Sequence, residues 1–151
     1  TTSLRTICPK TFEPRECTRP DERSRPRRIA RTPDGMIWHG DYTRGYLGRL
    51  DPRTGEVKEW ANPSGARSLP YAMTSDDQGR IWFVETGVQP NQLVGFDPAR
   101  EQFFGHTPIP GGGGTVRHMV FHGPTRTIWY GADNNQIGRI TVPKQGAPLV
   151  P

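Results

Sequence analysis

Cysteine is scarce in this chain: Cys8 and Cys17 are the only two, both near the N-terminus. Without a second Cys or His pair beside them they do not make a tetrahedral zinc site. A small disulfide loop in an oxidising compartment and free thiols in a reducing one both stay open. Apolar residues are also few, at 32%. No stretch approaches the ~18 uninterrupted apolar residues that cross a bilayer, and the N-terminus lacks the apolar heart of a signal peptide. The expectation is a soluble chain with no membrane partner, in the cytoplasm, the periplasm or outside the cell, a leader already removed staying open. G-x-S-x-G, H-E-x-x-H and C-x-x-C patterns are missing as well, which removes serine-hydrolase, zincin and thioredoxin readings.

Turn formers are abundant instead, with 18 Gly and 16 Pro among 151 residues. A thin core and many tight connections suit short strands and argue against helical bundles. The net charge of +5 is local: residues 1 to 31 carry nine Lys or Arg against four acids, and the rest of the chain balances. With Phe12 as its one aromatic and no recognisable readout module, this basic arm is expected to be solvated rather than a nucleic-acid binder.

A repeat organises everything after the arm. Arg80 to Pro98 reads R-I-W-F-V-E-T-G-V-Q-P-N-Q-L-V-G-F-D-P; relatives of it run from Met36 to Pro52 and from Thr127 to Ile140. The intervals Trp38 to Trp82 and Trp82 to Trp129 are 44 and 47 residues. A period in that range, carrying aromatic and Gly signals without helical periodicity, is the mark of a propeller blade. The expected fold is all-β: a partial β-propeller of about three four-stranded antiparallel blades, at 27–61, 69–106 and 115–143. A basic Pro-rich arm at 1–26, with one possible strand at Thr11 to Glu13, precedes them, and a tail at 144–151 follows. The third repeat offers only three strands locally. Three blades span less than half of a typical ring, so unpaired edges and exposed blade flanks are expected, with self-association through those flanks as one consequence and a fragment of a longer protein as another.

Aligned blade by blade, Arg28, Tyr71 and His118 share one position at the start of the first strand, which lines the channel in propellers. Asp41, Glu85 and Asp133 follow at 13, 14 and 15 residues, just past each Trp. Polar donors facing carboxylates around an axis form a candidate site for a cation or a polar ligand. The plainer reading has each acid accept backbone N–H bonds in a turn while each Trp fills an inter-blade core. His39, one residue beyond Trp38, is read as a surface or packing histidine that could also look into the channel. His106 and His122 are read as solvated, and Gly111 to Gly114 as a flexible loop.

W-F-x-E followed by x-I-G-R-[IL], with P-H-[AG]-I about a dozen residues before the Trp, resembles the virginiamycin B lyase (streptogramin lyase) family of seven-bladed propellers. The residues that carry it are Trp38 with Leu47-Gly48-Arg49-Leu50, Trp82-Phe83-Val84-Glu85, and Trp129 with Ile137-Gly138-Arg139-Ile140. The resemblance implies a Mg²⁺-assisted carbon–oxygen lyase that opens a lactone ester by elimination. A His of near-neutral pKa takes the proton beside the carbonyl and a hard cation steadies the developing charge. Val116-Arg117-His118-Met119-Val120 matches the family's catalytic stretch, so His118 is the implied base. Asp133 stands where the family has Glu and is the implied Mg²⁺ ligand, with Glu85. Val116 replaces a family Glu and Tyr71 a second family His. Arg28, Asp41, Tyr71 and Arg117 complete the candidate ligand-binding set, for a small molecule or lactone at the channel face. The alternative is a non-catalytic propeller segment that binds a ligand or a partner.

Overall fold

The computed structural model describes residues 4–17 and 21–144. Among them lie thirteen strands and two single-turn 3₁₀ segments, Gly65–Arg67 and Gly123–Thr125, and no α-helix. The C-terminal tail expected from 144 onward lies, past its first residue, outside the described residues. Among the described residues no helix is long and apolar enough to cross a membrane.

The strands form four antiparallel sheets. A hairpin comes first, β1 (Leu4–Ile7) with β2 (Pro14–Cys17). The first blade sheet is β3 (Pro26–Arg31), β4 (Ile37–Asp41), β5 (Tyr46–Leu50) and β6 (Val57–Ala61), in sequence order. The second is β7 (Pro70–Ser75), β8 (Ile81–Glu85), β9 (Gln92–Asp97) and β10 (Gln102–Pro108). The third, among the described residues, holds β11 (Val116–His122), β12 (Thr127–Ala132) and β13 (Gln136–Thr141). Strands β3 and β11 both pack beside β7, so the innermost strands of the three sheets stand next to one another.

The arm departs from expectation. Thr11 to Glu13 are not a strand but part of the connection between β1 and β2, with Phe12 at φ 58°. Both cysteines of this hairpin are unpaired thiols.

Turn chemistry sets the meander. Gly35 and Gly79 sit at φ 87° and 74°, and each N–H bonds back three residues, to the carbonyls of Thr32 and Asp76. Only glycine holds that conformation without cost. Asp51 and Asp97, each followed by Pro, accept the N–H of Arg53 (2.8 Å) and Ala99 (2.9 Å), closing the β5–β6 and β9–β10 turns.

Two cores lie between the sheets. Between the first and second, Trp38, Leu47, Met73, Ile81, Phe83, Val94 and Phe96 are buried. Trp38 stacks on Trp60 at 5.5 Å between ring centres, and Phe96 fits against both. Between the second and third, Trp82, Val84, Leu93, Ile109, Val116, Ile128 and Tyr130 are buried, with Phe104 edge-on to Trp82 at 5.1 Å. Sandwiched in this way, all five residues of β8 are buried.

Each of the two buried indoles is anchored by the residue six positions before it. Trp38 Nε1 donates to Thr32 Oγ1 at 3.1 Å, and Trp82 Nε1 to Asp76 Oδ2 at 2.9 Å. Burying an indole N–H without a partner would offset much of what its ring area contributes. Six residues before Trp129 stands Gly123, which has no side chain to accept, and Trp129 is exposed.

His39 is a packing histidine. Its ring lies against Gly48, where any Cβ would collide with it, and Nδ1 is buried without a partner. Burial pushes its pKa down to about 4, against the pull of the Asp41 carboxylate and helped by the Arg44 charge.

Two outcomes follow. Asp76→Ala leaves the buried Arg80, whose Nε sits 2.7 Å from the carboxylate, and the Trp82 N–H unpaired. Urea unfolding should show a loss of about 3 kcal/mol, against about 1 kcal/mol for Thr32→Val. Neutral His39 in the fold means that the unfolded chain binds the proton first. Stability is present above pH ~6.5 and is lost as pH falls toward 4, by about 3 kcal/mol in all. In His39→Gln the slope between pH 6.5 and 5 should flatten; an unchanged slope would remove His39 as its source.

Candidate functional site

The inner strands share an irregularity. Antiparallel register shifts between Pro26 and Ile29 in β3, between Pro70 and Met73 in β7, and between Val116 and His118 in β11. A bulge gives the strand one extra residue and re-aims the side chains around it. Arg27, Arg28, Tyr71 and Arg117 fall inside these three bulges and His118 at the edge of one. Three of the positions chosen by repeat alignment, Arg28, Tyr71 and His118, therefore come together.

Arg28 spans two sheets. Its Nη2 stands 2.6 Å from His118 Nε2, and its Nε donates to the Arg117 carbonyl at 3.2 Å. A guanidinium has no acceptor, so His118 Nε2 accepts and the neutral ring carries its proton on Nδ1. Tyr71 is surrounded by cations: the guanidinium carbons of Arg27, Arg28 and Arg117 lie 4.9, 5.4 and 5.6 Å from its ring centre. Arg27 also reaches Tyr42, at 4.4 Å, and its Nη1 donates to the Tyr71 hydroxyl at 3.4 Å. The Tyr71 phenol is held below its usual range, first by the hydrogen bond from Arg117 and then by the three Arg charges, against the opposing effect of burial. Arg117 also reaches Asp133 Oδ2 at 3.4 Å. Asp133 is held below the usual carboxylate range mainly by the Thr115 N–H, which it accepts at 2.6 Å.

The other two acids go elsewhere. Glu85 is fully buried and accepts from Ser64 twice, from N–H at 3.0 Å and from Oγ at 2.5 Å, and lies 3.0 Å from His106 Nε2. His106, expected to be solvated beside a turn, is a half-exposed residue of β10 engaged with that carboxylate. Asp41 Oδ1 accepts the N–H groups of Arg25, Thr43 and Arg44 at 3.0, 3.2 and 3.2 Å. All three acids play one part: each fastens the end of its second strand to the segment that leads into an inner strand, at Arg25, Ser64 and Thr115. Backbone N–H bonds at each acid are one half of the plainer reading; its other half, a Trp in each inter-blade core, describes Trp38 and Trp82 and not the exposed Trp129.

As arranged, these residues do not fit a Mg²⁺ site. Among the described residues no group of three or more His, Cys, Asp or Glu could hold a metal ion. The oxygens of Glu85 are engaged by Ser64 and His106, and those of Asp133 by Thr115 and Arg117. A hard cation would have to displace these five contacts from four residues and leave a guanidinium beside it.

Sequence reasoning missed Arg27, the His106–Glu85 contact and the latch at Ser64. Arg27 adjoins an aligned position and could have been found from the basic pair with Arg28. The partners of Glu85 arrive from segments 21 residues away on either side and leave no local pattern.

No family model and no curated protein sequence matches the chain. Solved structures do resemble it. A streptogramin B lyase structure is 23% identical with a TM-score of 0.78, over 91% of this chain and 43% of that one. The selenomethionine-substituted virginiamycin B lyase from Staphylococcus aureus is 19% identical with a TM-score of 0.76, over 95% of this chain and 50% of that one. The hydrazine synthase of Kuenenia stuttgartiensis reaches the same TM-score, 0.76, at 15% identity, over 93% of this chain and 40% of that one. The chain spans half or less of the length of each. At such identities, and with a lyase and a hydrazine synthase sharing the likeness, what is established is the architecture: the chain has a propeller-like, all-β fold.

Proposed function

We propose that the chain is a ligand-binding propeller segment, whose inner strands hold an anionic or carbonyl-bearing small molecule on Arg28, Tyr71, Arg117 and His118. The observation that supports it best is the bulge shared by β3, β7 and β11, which gathers three guanidinium groups around one aromatic ring. Asp133 is the one carboxylate paired with this cluster in the contacts described above, through Arg117. The cluster thus keeps an excess of positive charge and of donors. Guanidinium forks match carboxylate geometry, and a tyrosine face between them supplies the apolar floor that orients a ligand.

A second reading, elimination on a lactone, is favoured by one observation: His118 Nε2 stands 2.6 Å from a permanent cation. In that reading Arg28 moves off Nε2 onto the departing oxygen, and the freed Nε2 lone pair of His118 takes the proton from a carbon beside a carbonyl. The freed electron pair forms a C=C bond as the ester C–O bond breaks, and the oxygen leaves as a carboxylate onto Arg28 or Arg117. No water is added. Base and cation then come from this chain's own residues.

Citrate is a suitable first probe. Calorimetric titration should show binding to the wild type and a loss of tenfold or more in Arg28→Ala and in Arg117→Ala, as expected for removing a hydrogen bond to a charged group. No binding by the wild type, or full binding by both variants, would end the first reading. For the second, mass spectrometry of a type B streptogramin incubated with wild type and His118→Ala, with and without Mg²⁺, should show an opened product of unchanged mass in the wild type alone. An unopened ring, or a product heavier by one water, contradicts it.

A further inference from the structure

In the anion site proposed above Tyr71 serves only as an apolar floor, which leaves its hydroxyl unused. That oxygen faces guanidinium groups: Arg27 Nη1 donates to it at 3.4 Å, and Arg117 also hydrogen-bonds to it. A guanidinium has no acceptor, so neither partner can take the phenolic proton. With the guanidinium carbons of Arg27, Arg28 and Arg117 within 5.6 Å of the ring centre, the ionised form suits its surroundings better. Arg28 of β3 and Arg117 of β11 reach Tyr71 from the two neighbouring sheets.

His118 is the opposite case. Its Nε2 faces Arg28 Nη2 at 2.6 Å, so the lone pair that a base would use is engaged until that side chain moves. A phenolate oxygen keeps a lone pair free after Arg27 and Arg117 are served.

Substrate chemistry follows from this pairing of base and cations. A carboxylate on a guanidinium fork has its charge neutralised, which makes the hydrogen on the carbon beside it removable. A base that holds the proton on oxygen can hand it on, so the departing group can be an alkoxide, which leaves only when protonated. A carboxylate, an acidic C–H beside it and an alkoxy group on the next carbon together describe a uronate within a glycan. Arg117 and His118 are exposed and Tyr71 is half-buried, so the rim is open enough to meet a residue inside a polymer.

We infer that the rim is a site for β-elimination on uronate-containing glycans, with Tyr71 as the proton-transfer group and Arg28 and Arg117 as the counter-charge of the carboxylate. This rests on the reading of the rim as an anion site. The Tyr71 phenolate oxygen takes a proton from the carbon beside the carboxylate. The C–H electron pair becomes the C=C bond, the C–O bond to the departing sugar breaks, and Tyr71 gives the proton to the leaving oxygen. One product ends in an unsaturated uronate and the other in a hydroxyl. No water and no oxidant are consumed, and Tyr71 is again the phenolate.

Polygalacturonate is the probe, followed by the ultraviolet absorbance of the conjugated C=C–carboxylate and by mass spectrometry of the product ends. The wild type should form the chromophore without adding water. Tyr71→Phe keeps the ring that the guanidinium groups surround and lacks only the oxygen. By calorimetry it should bind polygalacturonate within about threefold of the wild type, while forming product about a hundredfold more slowly or worse. Arg28→Ala should lose about tenfold or more in binding. The citrate titration separates this inference from the reading under it. A wild type that binds citrate yet forms no chromophore from polygalacturonate overturns the inference and leaves the anion site standing; one that binds neither overturns both. Tyr71→Phe as active as the wild type, or products heavier by one water, also overturns the inference.

Discussion

The burial of Trp38 and of Trp82, each against the sheet that follows its own, is the contact on which the rest of this molecule depends. Trp38 and Trp82 each bridge two sheets, and each has its N–H answered inside its own hairpin, by Thr32 and by Asp76. Aromatic area supplies the driving force, and the anchored N–H fixes the direction in which the ring points. With only 32% apolar residues, the chain cannot spread its core over every strand. It concentrates burial on the second sheet, whose β8 is covered on both sides. The outer sheets differ on the faces turned away from it: His39, Asp41 and Leu50 of the first are buried, whereas Val120, Trp129 and Ile137 of the third are exposed.

The inner strands inherit their positions from this packing. Because β3, β7 and β11 stand side by side, a bulge repeated in each becomes a single cationic rim rather than three separate irregularities. The carboxylates serve the same geometry from behind, holding the segments that enter those strands. Chemistry at the rim is therefore arginine, tyrosine and histidine chemistry, in which an imidazole nitrogen faces a guanidinium that can only donate. Likeness to solved propellers supports the scaffold, and function on such scaffolds is decided by the side chains at the rim.

Much of this was legible in the sequence, for identifiable reasons. Alternating apolar residues, Asp-Pro and Asp-x-x-Gly turns and the tryptophan period locate the strands, because turn chemistry and side-chain alternation are local. Three strands were legible in the third repeat, and among the described residues its sheet holds three, β11 to β13. Repeat alignment brought Arg28, Tyr71 and His118 to one level, since equivalent positions in a radial array converge. Alignment gives position and not partner: Asp133 meets Arg117, while Ser64 and His106 reach Glu85 from segments no periodicity connects. The burial of His39 depends on the missing Cβ of Gly48 across the strand pair. The β1–β2 hairpin was hidden by Pro9 and Pro14, which weaken any strand signal in the arm.

The account rests most on the juxtaposition of the first and third sheets at the axis, where Arg28 meets His118. Long-range ¹H–¹⁵N correlation of the histidine rings, at about pH 8 where an ordinary imidazole is neutral, reads it directly. The account predicts that His118 holds its proton on Nδ1 in the wild type, and that Arg28→Ala releases the ring toward the Nε2-protonated form usual in solution. A His118 already protonated on Nε2, or a spectrum indifferent to Arg28→Ala, would contradict it.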